Sequence, residues 1–200
     1  MACCLPVCCQ VYIEPFAGYQ KDLNNKNFQL LNTGIQMAYA KGRRYEMILQ
    51  LQASWPTGKN SSDSSFTLNP SLPLYSAAVK QTRPRAITAA FGNRLKILGT
   101  GSNRLNVKLY AGLVYQRIAV QYQYDKTNYI ILNPDKTLEA AGVFLSGGLE
   151  YMRQLPSGRF FAEINICTPP ATSKRSYPYS FNLLAPLSVN LGYSILLKKK

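Results

Sequence analysis

Any chemistry in this chain has to proceed without histidine, because the sequence has none. That removes Ser-His and Cys-His nucleophile pairs, His general bases and His-ligated zinc. The titratable residues that remain and share a pattern are four glutamates, Glu14, Glu46, Glu150 and Glu163, with Arg44 and Lys108. Each sits at a polar position of an alternating polar/apolar segment, so the alternation sends all six to one face. Charges gathered on an enclosed face must be paired or solvated, and the reading is an interior network of salt bridges and hydrogen bonds. A gated ion path or a catalytic carboxylate pair would need the same residues. No positioned nucleophile or pocket-forming loop motif accompanies them. Catalytic, cofactor-binding and metal-ligating residues are therefore expected to be none, and the chain is not expected to be an enzyme.

Other chemical signals are weak. Gly99-Thr100-Gly101-Ser102 lacks the lysine and the following helix of a phosphate loop. Asn60-Ser61-Ser62 matches a glycosylation acceptor, a three-residue pattern too short to carry a function by itself. Four of the five cysteines fall at Cys3, Cys4, Cys8 and Cys9, in adjacent pairs without the two-residue spacer of a metal site. Residues 1–10 read as the remnant of a secretory signal ahead of a domain over 11–200. With that segment removed, Cys167 is the one remaining thiol.

The elements that position these residues are strands. Period-two alternation runs from residue 11 to the end, and it is the primary strand signal. It is cleanest in the last segment, where Leu187, Val189, Leu191, Tyr193, Ile195 and Leu197 alternate with Ser188, Asn190, Gly192 and Ser194. Further segments centre on Ile13–Tyr19, Thr33–Tyr39, Tyr45–Trp55, Ile87–Phe91, Leu105–Tyr115, Val143–Tyr151 and Phe160–Ile166. That makes eight strands, each near the ~9–11 residues that cross a bilayer when tilted. The fifth continues through Ile118, Val120 and Tyr122 with a change of phase, which predicts a bulge at Gln116–Arg117. Connections alternate: short at 41–43, 93–103 and 155–158, and long at about 56–76, 125–140 and 168–185. An all-β, eight-stranded antiparallel up-and-down transmembrane β-barrel accounts for this, with both termini on the short-turn rim.

The choice of face follows from composition. The polar face is rich in Gly, Ala, Ser, Asn and Gln, which suits the interior of a narrow barrel. The apolar face is almost free of charge, which suits lipid, where a midplane Lys or Arg costs ~2–4 kcal/mol. Aromatics sort to the ends of that face. Tyr39, Tyr45, Phe91, Tyr151, Phe160 and Tyr193 fall toward the short-turn rim, and Tyr19, Trp55 and Tyr122 toward the other, as two interface belts. The alternative is a soluble lipocalin-like barrel with the Leu and Tyr stripe turned inward around a hydrophobic ligand.

The formal charge of +14 raises the question of nucleic acid, but the bases are scattered through turns and loops, and no nucleic-acid motif appears. An anionic lipid surface is the physical partner expected instead. Tyr75, Tyr129, Tyr177 and Tyr179, with Lys174 and Arg175, lie in the long loops and could meet lipopolysaccharide phosphates or a partner surface.

Tyr12-Ile-Glu-Pro-Phe-Ala-Gly-Tyr19 opening the first strand and Leu187-Ser-Val-Asn-Leu-Gly-Tyr-Ser194 closing the last resemble the OmpA/OmpX-like family of eight-stranded porin-like barrels over about residues 11–197. The resemblance implies a bacterial outer-membrane location and assembly by the outer-membrane insertion machinery. It also implies a structural, surface-interaction or narrow-channel role, in contact with outer-membrane lipid and lipopolysaccharide. The chain is expected to be a monomer. The family usually ends on an aromatic residue, whereas here the last aromatic is Tyr193 and the chain closes on Lys198, Lys199 and Lys200.

Overall fold

The computed structural model describes residues 9–22, 29–41, 44–57, 59–99, 101–131, 135–168, 171–172 and 186–199. Eleven strands appear among them: β1 (Cys9–Asp22), β2 (Gln29–Lys41), β3 (Tyr45–Pro56), β4 (Lys59–Thr67), β5 (Tyr75–Leu98), β6 (Asn103–Gln123), β7 (Tyr129–Ile130), β8 (Lys136–Leu155), β9 (Gly158–Cys167), β10 (Ala171–Thr172) and β11 (Pro186–Lys199). Eight of them close a ring in the order β1-β2-β3-β5-β6-β8-β9-β11, and all its pairings are antiparallel. The seam is β1 against β11, running from Gln10↔Lys199 to Asp22↔Pro186. Closure leaves the ring no free edge.

The fold is an all-β antiparallel eight-stranded barrel. Its alternation is visible in exposure: in β3, Glu46, Ile48, Gln50, Gln52 and Ser54 are buried while Met47, Leu49, Leu51 and Trp55 face out. Short turns join β5 to β6 through Gly99 and Gly101 and β8 to β9 through Pro156-Ser157, all on one rim. Gly99 and Gly101 have φ of 116° and 62°, which side chains rarely adopt.

Three expectations change. The turn placed at 93–103 is shorter, because β5 runs on to Leu98, and the pairing of Asn93, Arg94, Leu95 and Lys96 with β6 continues the ladder. The bulge expected at Gln116–Arg117 is absent, since β6 pairs β5 without a shift from Val79↔Gln123 to Lys96↔Asn106. The irregularities lie elsewhere, between Lys96 and Leu98 and between Val11 and Tyr12. Finally, the long loops carry structure: β4 pairs β5, β7 pairs β4, and β10 pairs β8.

The missing bulge has a physical cause. Ile118, Val120 and Tyr122 keep the inward parity of Gln116 and are buried, clustered with Tyr124 and Ile131. The strand does not change phase. The faces change polarity instead, because Arg117, Gln121 and Gln123 now face outward. Apolar groups turn inward where the outside is polar.

Candidate functional site

Parity along six ring strands aims seven ionisable side chains at the barrel axis. They are Glu14 on β1, Glu46 on β3, Arg94 on β5, Lys108 on β6, Glu150 on β8, and Arg159 and Glu163 on β9, all buried. Arg94 is the hub. Its Nη2 donates to Glu14 Oε2 and Glu150 Oε2, each at 2.7 Å, and its Nη1 to Glu46 Oε2 at 2.5 Å. Arg159 Nη1 donates to Glu46 Oε1 at 2.8 Å, and its guanidinium lies 3.5 Å from the centre of the Tyr12 ring. Lys108 Nζ donates to Glu163 and, at 3.0 Å, to Gln36 Oε1, with Glu150 at 3.1 Å. Four carboxylates against three cations leave a formal charge of −1 (−4 + 3). Amides supply the remaining donors: Asn106 to Glu150 at 2.8 Å, and Asn165 and Asn190 to Glu163 at 2.9 and 2.7 Å. Bidentate and charge-assisted bonds of this kind are the strong ones, and removing one partner of such a buried set is costly.

Space for the cluster comes from small inward residues. A Cβ at Gly192 would stand 2.2 Å from Phe161 Cζ and 2.6 Å from the Pro15 carbonyl oxygen, and one at Gly34 would stand 2.4 Å from Phe16 Cζ. Phe16, Phe161 and Met152 occupy that room and pack together beside the ions. Toward the long-loop rim, Gln50, Gln52, Ser54 and Gln20 form a hydrogen-bonded chain with steps of 3.1, 3.3 and 3.1 Å. These residues border a cavity of about 60 Å³, which Gln116, Asn165 and Ser188 also line. Ligand pockets run to ~300–1,000 Å³, and this volume suits about four waters. Gln116 Oε1 and Asn165 Oδ1, buried without a protein partner, give such waters acceptors.

Several expected positions move. Arg44 does not join the interior; it is exposed in the turn before β3 begins at Tyr45, and beyond a strand's end alternation no longer aims a side chain. Arg94, read as part of the 93–103 turn, and Arg159, left between the 155–158 turn and the segment from Phe160, take the central places. The signal was parity: Arg94 continues Ala86, Thr88, Ala90 and Gly92, and Arg159 continues Asn165, Glu163 and Phe161. Glu14, Glu46, Glu150, Glu163 and Lys108 do converge.

On the outer wall, Tyr39, Tyr45, Tyr151 and Phe160 face out near the short-turn rim, at 38, 38, 43 and 38% exposure, with Tyr193 partly covered. Tyr45 donates to Asn93, Tyr151 to Asn103 at 2.9 Å, and Tyr193 meets Ser157 at 2.6 Å. Tyr19 and Trp55 share one cross-strand row with Leu31 toward the other rim. Phe91 is not at a rim. Its row, Met37-Leu49-Phe91-Ala111-Leu145, lies in the apolar band between the belts. Tyr122 is not in a belt either: it is buried, for the polarity reason given above. Tyr115, outward beside Ile87, stands at the upper line instead.

Of the loop tyrosines, Tyr75 is on β5 in edge contact with Phe66, and Tyr129 is on β7. Lys174, Arg175, Tyr177 and Tyr179 lie outside the described residues, as does the proposed signal remnant up to residue 8. Cys9 and Gln10 already belong to β1. Among the described residues no group of Cys, Asp and Glu side chains could hold a metal ion.

The lipocalin alternative fails on this geometry. Its lumen would have to be apolar and open, whereas this one holds seven ionisable groups and the Leu stripe faces out.

No family model matches the chain, and no curated protein matches it. Solved structures do. A major outer membrane protein from Thermus thermophilus superposes with a TM-score of 0.54 at 12% identity, over 94% of this chain and 99% of that one. Neisserial surface protein A gives 0.44 at 10% identity, over 95% and 96%. The N-terminal β-barrel domain of Pseudomonas aeruginosa OprF gives 0.40 at 15%, over 94% and 97%. The Thermus structure supports the barrel fold.

Proposed function

We propose that this chain is an integral barrel of a bacterial outer membrane with a non-enzymatic role: a closed wall element that presents structured loops to the outside. One observation carries the reading. The barrel is inside-out with respect to water, with Leu31, Ile35, Leu51, Ile87, Leu109, Leu113, Leu145, Leu191 and others exposed in a continuous girdle while the ions are buried. A soluble monomer rarely exposes an apolar patch beyond a few hundred Å², whereas lipid requires this arrangement of a closed barrel.

The lumen favours a structural and surface role over conduction. Arg94 and Lys108 are spanned from both sides by carboxylates, and this ion cluster with its packed Phe16, Phe161 and Met152 fills the lumen at its level. Contact with outer-membrane lipid and lipopolysaccharide, and delivery by the outer-membrane insertion machinery, accompany this role. The test is gel mobility of the refolded chain in detergent micelles, boiled against unboiled. The expected result is a heat-dependent shift, with β-type circular dichroism that requires detergent. A chain that folds as a soluble monomer in plain buffer refutes the proposal.

A further inference from the structure

Outward residues of β5, β6 and β8 form cross-strand rows on the wall. From the short-turn side the rows read Leu95-Val107-Leu149, Asn93-Leu109-Gly147, Phe91-Ala111-Leu145, Ala89-Leu113-Val143 and Ile87-Tyr115-Ala141. The next row is Arg85-Arg117-Glu139, and Arg83-Ala119-Thr137 follows. From Ile97 to Ile87 the strand advances ten residues, which at ~3.3 Å per residue and a ~40° tilt is about 25 Å of height, the thickness of the apolar band. Arg85 and Arg117 therefore stand directly above the bilayer core, at the level of headgroups.

Two arginines directly opposite each other on one face are unfavourable, yet the ladder places Arg85 against Arg117. Arg83 is diagonal to Arg117 in the same ladder and is occupied with Gln81, to which its Nη2 donates at 3.0 Å. Among the described residues, the acid paired with the patch is Glu139, 3.6 Å from Arg117 Nε, with both side chains half exposed or more (59% for Arg117 and 50% for Glu139). Arg85 has no side-chain partner among the described residues. The patch therefore carries a charge of +2, from three arginines and one glutamate (+3 − 1), with Tyr115 beneath it.

We infer that Arg85 and Arg117, with Arg83 beside them, form a clamp on the outer wall for the phosphate of an outer-leaflet lipid headgroup. Guanidinium forks match phosphate oxygens in paired bonds. An anion seated between the two forks converts an unfavourable pair into a favourable bridge, and the acyl chains of the same lipid lie along Ile87, Ala89, Leu113 and Val143 below. This inference rests on the membrane reading above and adds a site to it.

The test uses the full refolded chain. In a zwitterionic detergent it is titrated with bisphosphorylated lipid A, with dephosphorylated lipid A and with inorganic phosphate, and bound lipid is counted by native mass spectrometry. The expected result is binding of the bisphosphorylated lipid, weakened about tenfold by Arg85→Gln/Arg117→Gln and unchanged by Lys126→Gln/Lys136→Gln, which removes the same charge elsewhere. Unfolding midpoints give a second readout. The double variant is expected to match or exceed the unsubstituted chain in phosphatidylcholine bilayers and to fall below it when lipid A is added. Equal lipid binding by the double variant overturns the clamp, as does binding of the dephosphorylated lipid at the same strength. Saturation by inorganic phosphate alone overturns the lipid as its occupant. A chain that inserts normally but shows one of these results refutes the clamp alone. A chain that never inserts refutes the membrane reading and the clamp with it.

Discussion

Replacing Arg94 by methionine removes four hydrogen bonds to three carboxylates at once. Adding these at ~1.5–3 kcal/mol per charged bond gives roughly 6–12 kcal/mol, an upper bound. The structure shows why the real loss is smaller. Glu46 keeps Arg159 at 2.8 Å, and Glu150 keeps Lys108 at 3.1 Å and Asn106 at 2.8 Å. Glu14 keeps only Arg159, at 3.6 Å. The net effect is one orphaned buried carboxylate, worth about 3–5 kcal/mol, against a total stability of roughly 5–15 kcal/mol. A second substitution isolates it. In Arg94→Met/Glu14→Gln the orphan becomes a neutral amide, and about half or more of the loss is expected to return. Urea unfolding of the refolded barrel, followed by the fluorescence of the single tryptophan, Trp55, measures all three variants. Additive losses in the double variant would refute the pairing of Arg94 with Glu14, and a loss below ~1 kcal/mol for Arg94→Met would refute the hub, since surface substitutions fall within about ±0.5 kcal/mol.

Gly192→Ala should lower stability by about 1–3 kcal/mol, because the new methyl meets the Pro15 carbonyl oxygen, which cannot rotate away. Gly147→Ala, whose nearest neighbour would be Leu109 Cδ2 at 3.4 Å on the outer wall, should be tolerated; equal unfolding midpoints for the two variants would contradict the packing. Leu191→Arg, at a position 54% exposed, should cost ~2–4 kcal/mol in a bilayer, whereas a water-facing wall would accept it, so chemical unfolding in vesicles decides which solvent it meets. In the loop before β7, Asp125 accepts from the Thr127 amide at 3.0 Å and from Asn128 Nδ2 at 2.8 Å. These bonds hold its carboxyl below the ordinary aspartate value, the Asn128 bond most of all. A depressed folded value means that the turn is supported at neutral pH and loses that support as pH falls through the folded value. A carboxyl-carbon titration by NMR should show a midpoint below ~3.9, and a midpoint at or above that value would deny the cap.

Much of this architecture was legible in the chain before folding. Alternation over 45–55 and 187–197 sets which side chains share a face, because successive residues of a strand point to opposite sides whatever their neighbours are. Glu14, Glu46, Glu150, Glu163 and Lys108 were found on that ground alone. The lack of charge on the other face fixed which side is in. What the tertiary structure decided depends on where strands end and what surrounds them. Arg94 fell in an expected turn and Arg159 at the edge of one, and only the ladder of β5 with β6 and the start of β9 at Gly158 carried them into the interior. Arg44 has the right parity and the wrong place, one residue outside β3. Tyr122 has an unbroken phase, but it lies above the height at which the outer solvent changes, and there an apolar ring belongs inside. Partner choice was also unreadable. Glu14 and Arg94 are 80 residues apart in sequence, and they meet because closure of β1 on β11 brings distant strands around one axis. Local patterns encode direction, while distance across a lumen is a property of the closed ring.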